Sequence, residues 1–564
     1  MFWRKNRKIS EIEFDEIFLD SRNIPDYRKE SFEGMVEKPI PQKNVFLLGG
    51  FLAVFAAVFI LRIFVLEIVR GEEFYQRAEK NRLEVVFEDA ERGLIYDRMG
   101  EALAKNSEID GKNTRVYPSE GFLHILGFLT RNDPGPEKKN FGVGASGLEA
   151  NYEEILKGSP KKRIDETDSR GLVVGSGFLE RGRSGDGIIT TIDKGLQIEV
   201  YKNLKSVMKG HGFKGGAAVF MDIRFGEVLA LSSIPEFDPN ILTSGGDPEE
   251  VQKLLNNPGQ PFFNRAVSGL YPPGSIVKPA IAAGALAKNI IDPAKEILST
   301  GSISLPNPYD SAHPNVFPDW KAHGWVDMRR ALAVSSNVYF YSIGGGFESQ
   351  PGLGVAGIKK YLRLFGLGER TGIDLGGEKD GFLPDETKKL ENGRSWSIGD
   401  TYNFSIGQGD TLVTPLQMAV YVSTIASKGS MPYPHLAKAI VDENKKVLET
   451  FSYPPKKENI LSESIFKVVH EGMRKAVTEG TAQGLSGLSI MVAAKTGTAE
   501  IGDTERAHSW SIGFFPYDNP RIAFAVLMES GPRQNLVGAT AVASGVLNWI
   551  AETSFLSKLN NDIL

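Results

Sequence analysis

The 564-residue sequence contains no cysteine. Disulfides, thiolate zinc sites, iron–sulfur clusters and a cysteine nucleophile are therefore all excluded. Histidine is scarce as well, with seven residues and no H-E-x-x-H metal motif. The sequence also lacks a G-x-x-x-x-G-K-[ST] phosphate loop and a G-x-S-x-G nucleophile turn. The net charge of −5 disfavours general nucleic-acid binding.

Charge is missing from one long stretch near the N-terminus. Residues 45–61 carry no charged side chain, and with Arg62 and four more apolar residues the block covers 45–66. As a helix, these 22 residues would span roughly 33 Å, about one hydrocarbon core. The run is apolar all round rather than on one stripe, which argues against a buried core helix, and a cleaved signal peptide has a shorter leader. We therefore predict a single transmembrane helix over 45–66.

The sequence on either side of this block predicts the membrane topology. The segment 1–44 is short and rich in Lys and Arg, and a short basic segment next to a transmembrane helix stays in the cytoplasm. No second apolar run of this length follows residue 66. We therefore expect a single-pass protein of the cytoplasmic (inner) membrane, with a cytoplasmic tail over 1–44 and everything after the span on the outer, periplasmic face.

The outer part has strand patterns near both of its ends. Apolar runs on either side of the turn at 224–226 predict a hairpin, and further strand patterns occur near the C-terminus. Strands at both ends with helices between them indicate an α+β domain in which early and late strands share one sheet. The predicted strands are 215–222, 227–233, 490–494, 509–515 and 521–528.

Helical patterns dominate the middle of the outer part. We predict helices over much of 279–479, with loop-rich interruptions at 300–320 and 376–403. A further helix is expected at 196–208, and a last amphipathic one at about 540–552. The strongly basic stretch 157–170 is predicted to be an exposed loop.

With cysteine excluded, a serine is the first candidate for a nucleophile. The pattern S-x-x-K begins at Ser159, Ser206, Ser275 and Ser464, so by itself it is weak. Ser275 differs because it follows a Tyr-Pro-Pro-Gly turn and precedes an Ala-rich helical run. Lys278 lies one helical turn later, within reach of the serine hydroxyl. Burial and a second cation would lower the pKa of this amine and make it a base.

Two further polar motifs interrupt apolar sequence. Ser335 to Asn337 reads S-S-N, and by itself it would be a serine cap at a helix boundary. Lys495 to Thr498 reads K-T-G-T directly after the predicted strand 490–494. Such a strand end could bind a carboxylate and present backbone N–H groups to an oxyanion. The alternative for it is a plain exposed strand end followed by a turn.

The order S-x-x-K, S-S-N and K-T-G matches the set found in penicillin-binding proteins and β-lactamases, with S-S-N in place of S-D-N. The sequence resembles the class B penicillin-binding proteins, and most of all the elongation-type penicillin-binding protein 2 group. Four more segments carry the resemblance: 92–100 (RGLIYDRMG), 144–152 (GASGLEANY), 271–275 (YPPGS) and 399–419. The last of these also has a local explanation as a helix start, with Thr414 at the N-cap and Gln417 closing a capping box.

The resemblance implies a domain order. A small mixed pedestal (dimerisation-like) domain is expected at 67–192. The transpeptidase (penicillin-binding) domain is expected at 193–564, an antiparallel sheet with flanking helices and an all-α subdomain. The pedestal is short, because only about a dozen residues separate Ala104 from Val116. The family usually has a larger subdomain there, which contacts a SEDS-type glycosyltransferase. No room remains for a glycosyltransferase domain of its own.

The resemblance also implies an activity, peptidoglycan D,D-transpeptidation through a serine acyl-enzyme during cell-wall elongation and shape maintenance. Ser275 would be the nucleophile and Lys278 its base. Ser335 would pass a proton to the leaving amine, and Asn337 would orient the amides of the donor peptide. Lys495 would supply positive charge.

Substrate binding is implied for the rest of the third motif, Thr496, Gly497 and Thr498.

Some relatives bind zinc in the transpeptidase domain. The residues here that could do so are Asp310, His313, Asp319 and His323. Because no cysteine accompanies them, a metal site is not expected, and the resemblance implies that no cofactor is required.

Peptidoglycan stem peptides are the implied substrates, and β-lactams the implied inhibitors. The implied partners are a SEDS-type glycosyltransferase and other membrane proteins of the elongation complex, with no nucleic acid. Alternative functions are a division-type transpeptidase, a D,D-carboxypeptidase or β-lactamase that uses water as acceptor, a β-lactam sensor, and a non-enzymatic scaffold that activates a polymerase.

Overall fold

A computed structural model describes most of the chain. It covers residues 41–559 except 89, 110–111, 131–141, 168–171, 308–309, 311, 392, 503 and 536. The predicted cytoplasmic tail lies almost wholly outside the described residues.

The chain divides into two compact units. One comprises Met1–Glu84 with Asp165–Ser176, and the other comprises Val85–Ile164 with Gly177–Leu564. The second unit holds all the motifs of the candidate site. The boundary between a pedestal and a catalytic domain at residues 192 and 193 stays a prediction.

The α-helices in the described residues are α1 (Gln42–Phe64), α2 (Gly71–Arg82), α3 (Leu123–Leu126), α4 (Gly147–Asn151), α5 (Glu153–Leu156), α6 (Lys194–His211), α7 (Pro239–Thr243), α8 (Pro248–Leu255), α9 (Lys278–Ala287), α10 (Met328–Val334), α11 (Asn337–Gly345), α12 (Gly354–Leu364), α13 (Glu386–Glu391), α14 (Ile398–Ser405), α15 (Pro415–Ala426), α16 (Glu463–Glu479), α17 (Ala539–Glu552) and α18 (Phe555–Lys558). Short 3₁₀ turns lie at Gly274–Val277 and Gln483–Leu485.

The strands are β1 (Leu83–Glu88), β2 (Ile95–Tyr96), β3 (Ala102–Ile109), β4 (Lys112–Val116), β5 (Leu129–Thr130), β6 (Val143–Gly144), β7 (Lys161–Thr167), β8 (Val173–Glu180), β9 (Gly187–Thr190), β10 (Gly215–Asp222), β11 (Val228–Ile234), β12 (Ile297–Ser299), β13 (Ser302–Leu305), β14 (Asn315–Pro318), β15 (Gly324–Val326), β16 (Ala437–Val441), β17 (Val447–Thr450), β18 (Ala493–Glu500), β19 (Arg506–Phe515) and β20 (Ile522–Pro532).

The apolar block near the N-terminus is helical throughout. Helix α1 continues through a π-helical turn at Val65–Val69, so the helical stretch Gln42–Val69 is 28 residues long and none of its most apolar window is buried. It is the one helix among the described residues that is long and apolar enough to cross a membrane. The span predicted at 45–66 lies inside it, and a single-pass membrane protein fits this finding.

A five-stranded antiparallel sheet forms the centre of the second unit, in the order β11-β10-β20-β19-β18. It joins strands from residues 215–234 with strands from residues 493–532, which confirms the predicted α+β arrangement. Strand β10 is buried on both faces: Ala217 and Val219 belong to one core cluster, Ala218 and Phe220 to the other. This explains why its sequence is continuously apolar rather than alternating.

Helices cover both faces of this sheet. Residues of α6 and α17 belong to the second core cluster, and most core residues of α9 to α12, α14 and α15 belong to the first. The predicted capping box at the start of α15 is present, since the Thr414 side chain accepts from the Gln417 N–H and the Gln417 side chain accepts from the Thr414 N–H.

A second sheet has the order β17-β16-β9-β2-β3-β4. Its strands come from the predicted pedestal and from residues 437–450, which were expected to be helical. That expectation is wrong, because β16 pairs with β9 more than 240 positions earlier in the chain, at Ile440 and Ile188 for example. A local window of sequence does not contain such a partner.

Three more regions differ from their local predictions. The basic stretch predicted as a loop contains β7, which pairs with β8 through polar contacts such as Lys162 Nζ to Glu180 Oε1 at 2.8 Å. Cross-strand polar pairs here replace the apolar alternation that usually indicates a strand. The predicted loop-rich interruption at 300–320 contains the hairpin β13–β14. The loop-rich region at 376–403 holds α13 and the start of α14.

Candidate active site

Ser275 lies in the 3₁₀ turn that leads into α9. Gly274 before it has a φ of +58° and donates its N–H to Gly407 O at 2.9 Å. A Cβ on Gly274 would lie 2.8 Å from Thr498 O, so a side chain would push the turn away from β18. The glycine thus holds the candidate nucleophile against the strand that carries the K-T-G motif.

Lys278 is the first residue of α9, one turn after Ser275, and it is completely buried. Its Nζ donates to Ser335 O at 2.8 Å, to Asn337 Oδ1 at 2.7 Å and to Ser335 Oγ at 3.3 Å. Burial lowers the pKa of Lys278 to about 7, against the opposing effect of the Asp319 charge. The amine is therefore available as a base near neutral pH.

The S-S-N motif joins two helices. Ser335 ends α10 with φ 59° and ψ 39°, a left-handed conformation that costs a non-glycine residue roughly 1 kcal/mol. Ser336 is the N-cap of α11 and accepts from the Tyr339 N–H. The capping alternative therefore applies to Ser336. The Ser335 hydroxyl instead faces the lysines.

Lys495 approaches the same hydroxyl from the sheet. It is completely buried, and its Nζ donates to Ser335 Oγ and to Thr496 O, both at 2.8 Å. Burial and the charge of Lys278 hold the pKa of Lys495 well below its ordinary value. Two buried ammonium groups that share one hydroxyl would repel each other. The state in which only one of the two lysines is protonated is therefore favoured.

The K-T-G-T motif lies inside β18, which begins at Ala493, and not after a strand ending at 494 as predicted. Strand β18 is the outer strand of its sheet, and its free edge meets the Ser275 turn. A Cβ on Gly497 would lie 3.0 Å from both Ile276 Cγ2 and Pro273 O. Only glycine permits this approach without displacing the turn.

The hydroxyl groups of the motif have different surroundings. Thr496 Oγ1 is 2.6 Å from Thr481 Oγ1, whereas Thr498 is exposed. Thr481 follows α16, and its backbone N–H donates to Ala333 O in α10 at 3.1 Å. Nothing in the sequence around Thr481 indicated a place at the site.

The structure thus brings together every residue predicted from the three motifs. Ser335 Oγ is their common point, since Lys278 and Lys495 contact it from different elements. Such a cluster can activate a serine and transfer its proton, because an amine of lowered pKa, one helical turn after the candidate nucleophile, contacts a hydroxyl relay.

Asp319 belongs to the site in the structure, whereas the sequence indicated it only as a candidate metal ligand. Its buried carboxylate accepts hydrogen bonds from the turn around Ser336, and it lies 3.6 Å from the His323 ring. His313 pairs instead with Asp310, at 2.7 Å. In the described part of the chain, no group of three or more His, Asp or Glu side chains is placed to hold a metal ion.

Comparison with known proteins gives matches to both predicted domains. A model of the penicillin binding protein transpeptidase domain matches residues 216–548. A model of the penicillin-binding protein dimerisation domain matches residues 107–190. The first match alone covers more than half of the chain.

Individual relatives agree with these matches. Peptidoglycan D,D-transpeptidase MrdA of Acinetobacter baumannii is 32% identical over 452 residues, which cover 75% of this chain and 64% of the relative. Pseudomonas aeruginosa PBP2 in complex with WCK 5153 is 29% identical, with a TM-score of 0.68, and the match covers 83% of this chain and 97% of that one.

A solved peptidoglycan synthase complex, described as coordinating polymerization and crosslinking, contains a chain that is 27% identical. That match covers 91% of this chain and 99% of the other, with a TM-score of 0.71. The matched domains, the relatives and the geometry of the three motifs lead to one family, which confirms the resemblance seen in the sequence: the chain belongs to the class B penicillin-binding proteins, in the group of PBP2-type D,D-transpeptidases.

Proposed function

We propose that this protein cross-links peptidoglycan stem peptides through an acyl-enzyme on Ser275. The observation that carries the proposal is the Ser335 hydroxyl, 2.8 Å from Lys495 Nζ and 3.3 Å from Lys278 Nζ. This hydroxyl is placed as a proton relay between a buried base, Lys278 on the helix that follows Ser275, and a cation, Lys495. The family to which the chain belongs supports the same reaction.

In the acylation step, the Ser275 hydroxyl loses its proton to neutral Lys278, and its oxygen bonds to the carbonyl carbon between two D-alanines. Negative charge develops on the carbonyl oxygen. The backbone N–H groups of Ser275 and Thr498, on the turn and on the adjacent strand, are proposed to stabilise this oxyanion. Both belong to rigid elements that Gly274 and Gly497 hold close together.

Collapse of the tetrahedral intermediate breaks the C–N bond, and the departing D-alanine amine needs a proton. Ser335 is placed to deliver it, because its hydroxyl hydrogen-bonds to the base that has just taken one. Lys495 donates to the same oxygen; while Lys278 is neutral it no longer opposes a charge on Lys495, whose positive charge would attract the substrate carboxylate. We assign binding of that carboxylate to Thr496 and Thr498, with Gly497 between them, and orientation of the donor amides to Asn337.

In the second step, the amine of a neighbouring stem peptide attacks the ester. It loses one proton, the C–O bond breaks, and Ser275 regains its hydroxyl. A water molecule in place of the amine would make the enzyme a D,D-carboxypeptidase. Product analysis with and without an acceptor peptide distinguishes these activities, since only transpeptidation gives a cross-linked product.

The elongation role is proposed from the relatives and from the Tyr-Pro-Pro-Gly-Ser sequence at 271–275. A division-type role is the alternative. Depletion followed by microscopy separates them, because loss of an elongation enzyme produces round cells and loss of a division enzyme produces filaments.

Helix α1 supports a place in the cytoplasmic membrane, and the basic flank at 1–44 supports a cytoplasmic N-terminus with the site on the outer face. Assembly with a SEDS-type glycosyltransferase is proposed from the similarity to a chain of a peptidoglycan synthase complex. A scaffold without catalysis would leave the three converging motifs without a use.

Labelling with a fluorescent penicillin tests the proposal, because a β-lactam would acylate the same serine. Wild type should be labelled and Ser275→Ala should not. Ser464→Ala and Ser206→Ala are matched controls, since each removes a serine from an S-x-x-K pattern on an exposed helix surface. An unlabelled wild type, or equal labelling of wild type and Ser275→Ala, would refute the assignment.

A further inference from the structure

Asp319 is a buried carboxylate that, among the described residues, directly contacts neither Ser275 nor a lysine. Its side chain has no exposed surface, and its backbone N–H donates to Gly301 O at 2.8 Å. Four donors converge on its two oxygens. They are Ser336 Oγ (2.7 Å), Ser299 Oγ (3.1 Å), the Val338 N–H (3.1 Å) and the Trp320 N–H (2.9 Å).

These hydrogen bonds act on the turn that presents Ser335. Ser336 and Val338 lie just after Ser335, at the start of α11. Their hydrogen bonds to the carboxylate therefore hold the chain that follows Ser335, a residue in the left-handed conformation. Trp320, next to Asp319, donates its Nε1–H to Val334 O at 3.1 Å and so holds the residue that precedes Ser335. A strained conformation persists only when its surroundings hold it in this way.

The charge of Asp319 also acts on the site. The titratable groups that face Lys278 are Lys495 on β18, and Asp319 and His323 between β14 and β15. Asp319 is the acidic member of this set. Burial disfavours its charge, but the polar groups of residues 336–338 that surround the carboxylate hold the pKa of Asp319 below its ordinary value.

We propose that Asp319 is a positioning residue for acyl transfer, which holds the Ser335 hydroxyl between the two lysines and balances their positive charge. The inference rests on the proposed function, because it assigns a cause to the geometry of that site. Asp319 acts through Ser335 and Lys278 and touches no reacting atom.

Asp319→Asn tests both parts of this role. An asparagine cannot accept all four hydrogen bonds, since its NH₂ group would face a donor on one side or the other. We expect the acylation rate to fall about 10-fold or more, as when a charged acceptor is lost from a buried network. Removing the negative charge also removes a stabiliser of protonated Lys278. The acidic limb of the rate-against-pH profile should therefore move to lower pH.

Asp327→Asn is the matched control. It removes the same charge from the nearby N-cap of α10, and asparagine caps a helix as well as aspartate does. Its rate and pH profile should equal those of the wild type. Asp319→Glu keeps the charge but displaces the oxygens, so its rate should fall while the acidic limb stays in place.

The measurement is penicillin acylation of the full-length protein between pH 5 and 9, with thermal unfolding of each variant. A folded Asp319→Asn that acylates like a labelled wild type, with the same acidic limb, would overturn the inference and leave the proposed function intact. An unlabelled wild type would refute the proposed function itself. Should Asp319→Asn not fold, Ser299→Ala removes one donor and keeps the charge. A several-fold lower rate then supports the role, and an unchanged rate overturns it.

Discussion

Replacing Gly497 by alanine gives a direct test of how β18 sets the position of the nucleophile. The added Cβ would lie 3.0 Å from Ile276 Cγ2, 3.0 Å from Pro273 O and 3.3 Å from Ile276 N. Ordinary contacts begin at 3.4 Å, so the strand and the turn must separate by a few tenths of an ångström. Two of these three neighbours are backbone atoms, which cannot rotate away. Pro273 and Ile276 flank Ser275, so the displacement reaches the nucleophile.

Two effects on stability oppose each other. Overpacking a tight contact costs about 1–3 kcal/mol, and alanine recovers roughly 0.5–1 kcal/mol because it restricts the unfolded chain. The variant should therefore be destabilised by about 0–2.5 kcal/mol and remain folded. Its acylation rate should fall far more, by about 10-fold or more, because acyl transfer requires a near-attack geometry at the serine.

The assay is the rate of fluorescent penicillin labelling, measured beside thermal unfolding. Gly487→Ala is the control, since a Cβ at this exposed glycine would meet nothing within 4 Å. It should label like the wild type. If Gly497→Ala also labelled at the wild-type rate, the contact between β18 and the turn would not determine the position of Ser275.

Three further results are expected. The acylation rate should rise through about pH 7, because Lys278 is a base only when neutral and burial lowers its pKa to about 7; a rise near pH 10 would contradict this. Glu149→Gln should lower the free energy of unfolding by about 3–5 kcal/mol, because two fully buried arginines lose a charged partner, whereas exposed Glu154→Gln should change it by less than about 0.5 kcal/mol in the same denaturant titration. Thr481→Val should raise the KM for a donor peptide more than it lowers kcat, because Thr496 loses the hydroxyl that orients it, and an unchanged KM would contradict this.

Several features of the protein follow from local sequence. Residues 45–66 form an apolar helix because no charged side chain interrupts 17 consecutive positions. The hairpin β10–β11 and the capping box of α15 were also predictable, since each depends on residues that are close in the chain. The motif Ser275 to Lys278 belongs to this class, because one helical turn brings its two ends together.

The remaining features depend on long-range contacts. Strands β7 and β16 were not predicted, because their polar or alanine-rich sequences become strands only beside their partners. Likewise, the order of the motifs indicated that Ser335 and Lys495 belong to one site, but not how they meet.

Only the tertiary structure placed one hydroxyl between two lysines. Lys278 lies 57 positions from Ser335, and Lys495 lies 160 positions from it. Burial in that shared core is what lowers the pKa of both amines. The same holds for Asp319, which the sequence placed in a loop-rich segment and indicated only as a candidate metal ligand. The sequence determines which chemical groups are present. Their basicity and their orientation depend on the folded environment, because desolvation and hydrogen-bond geometry exist only after distant elements have packed.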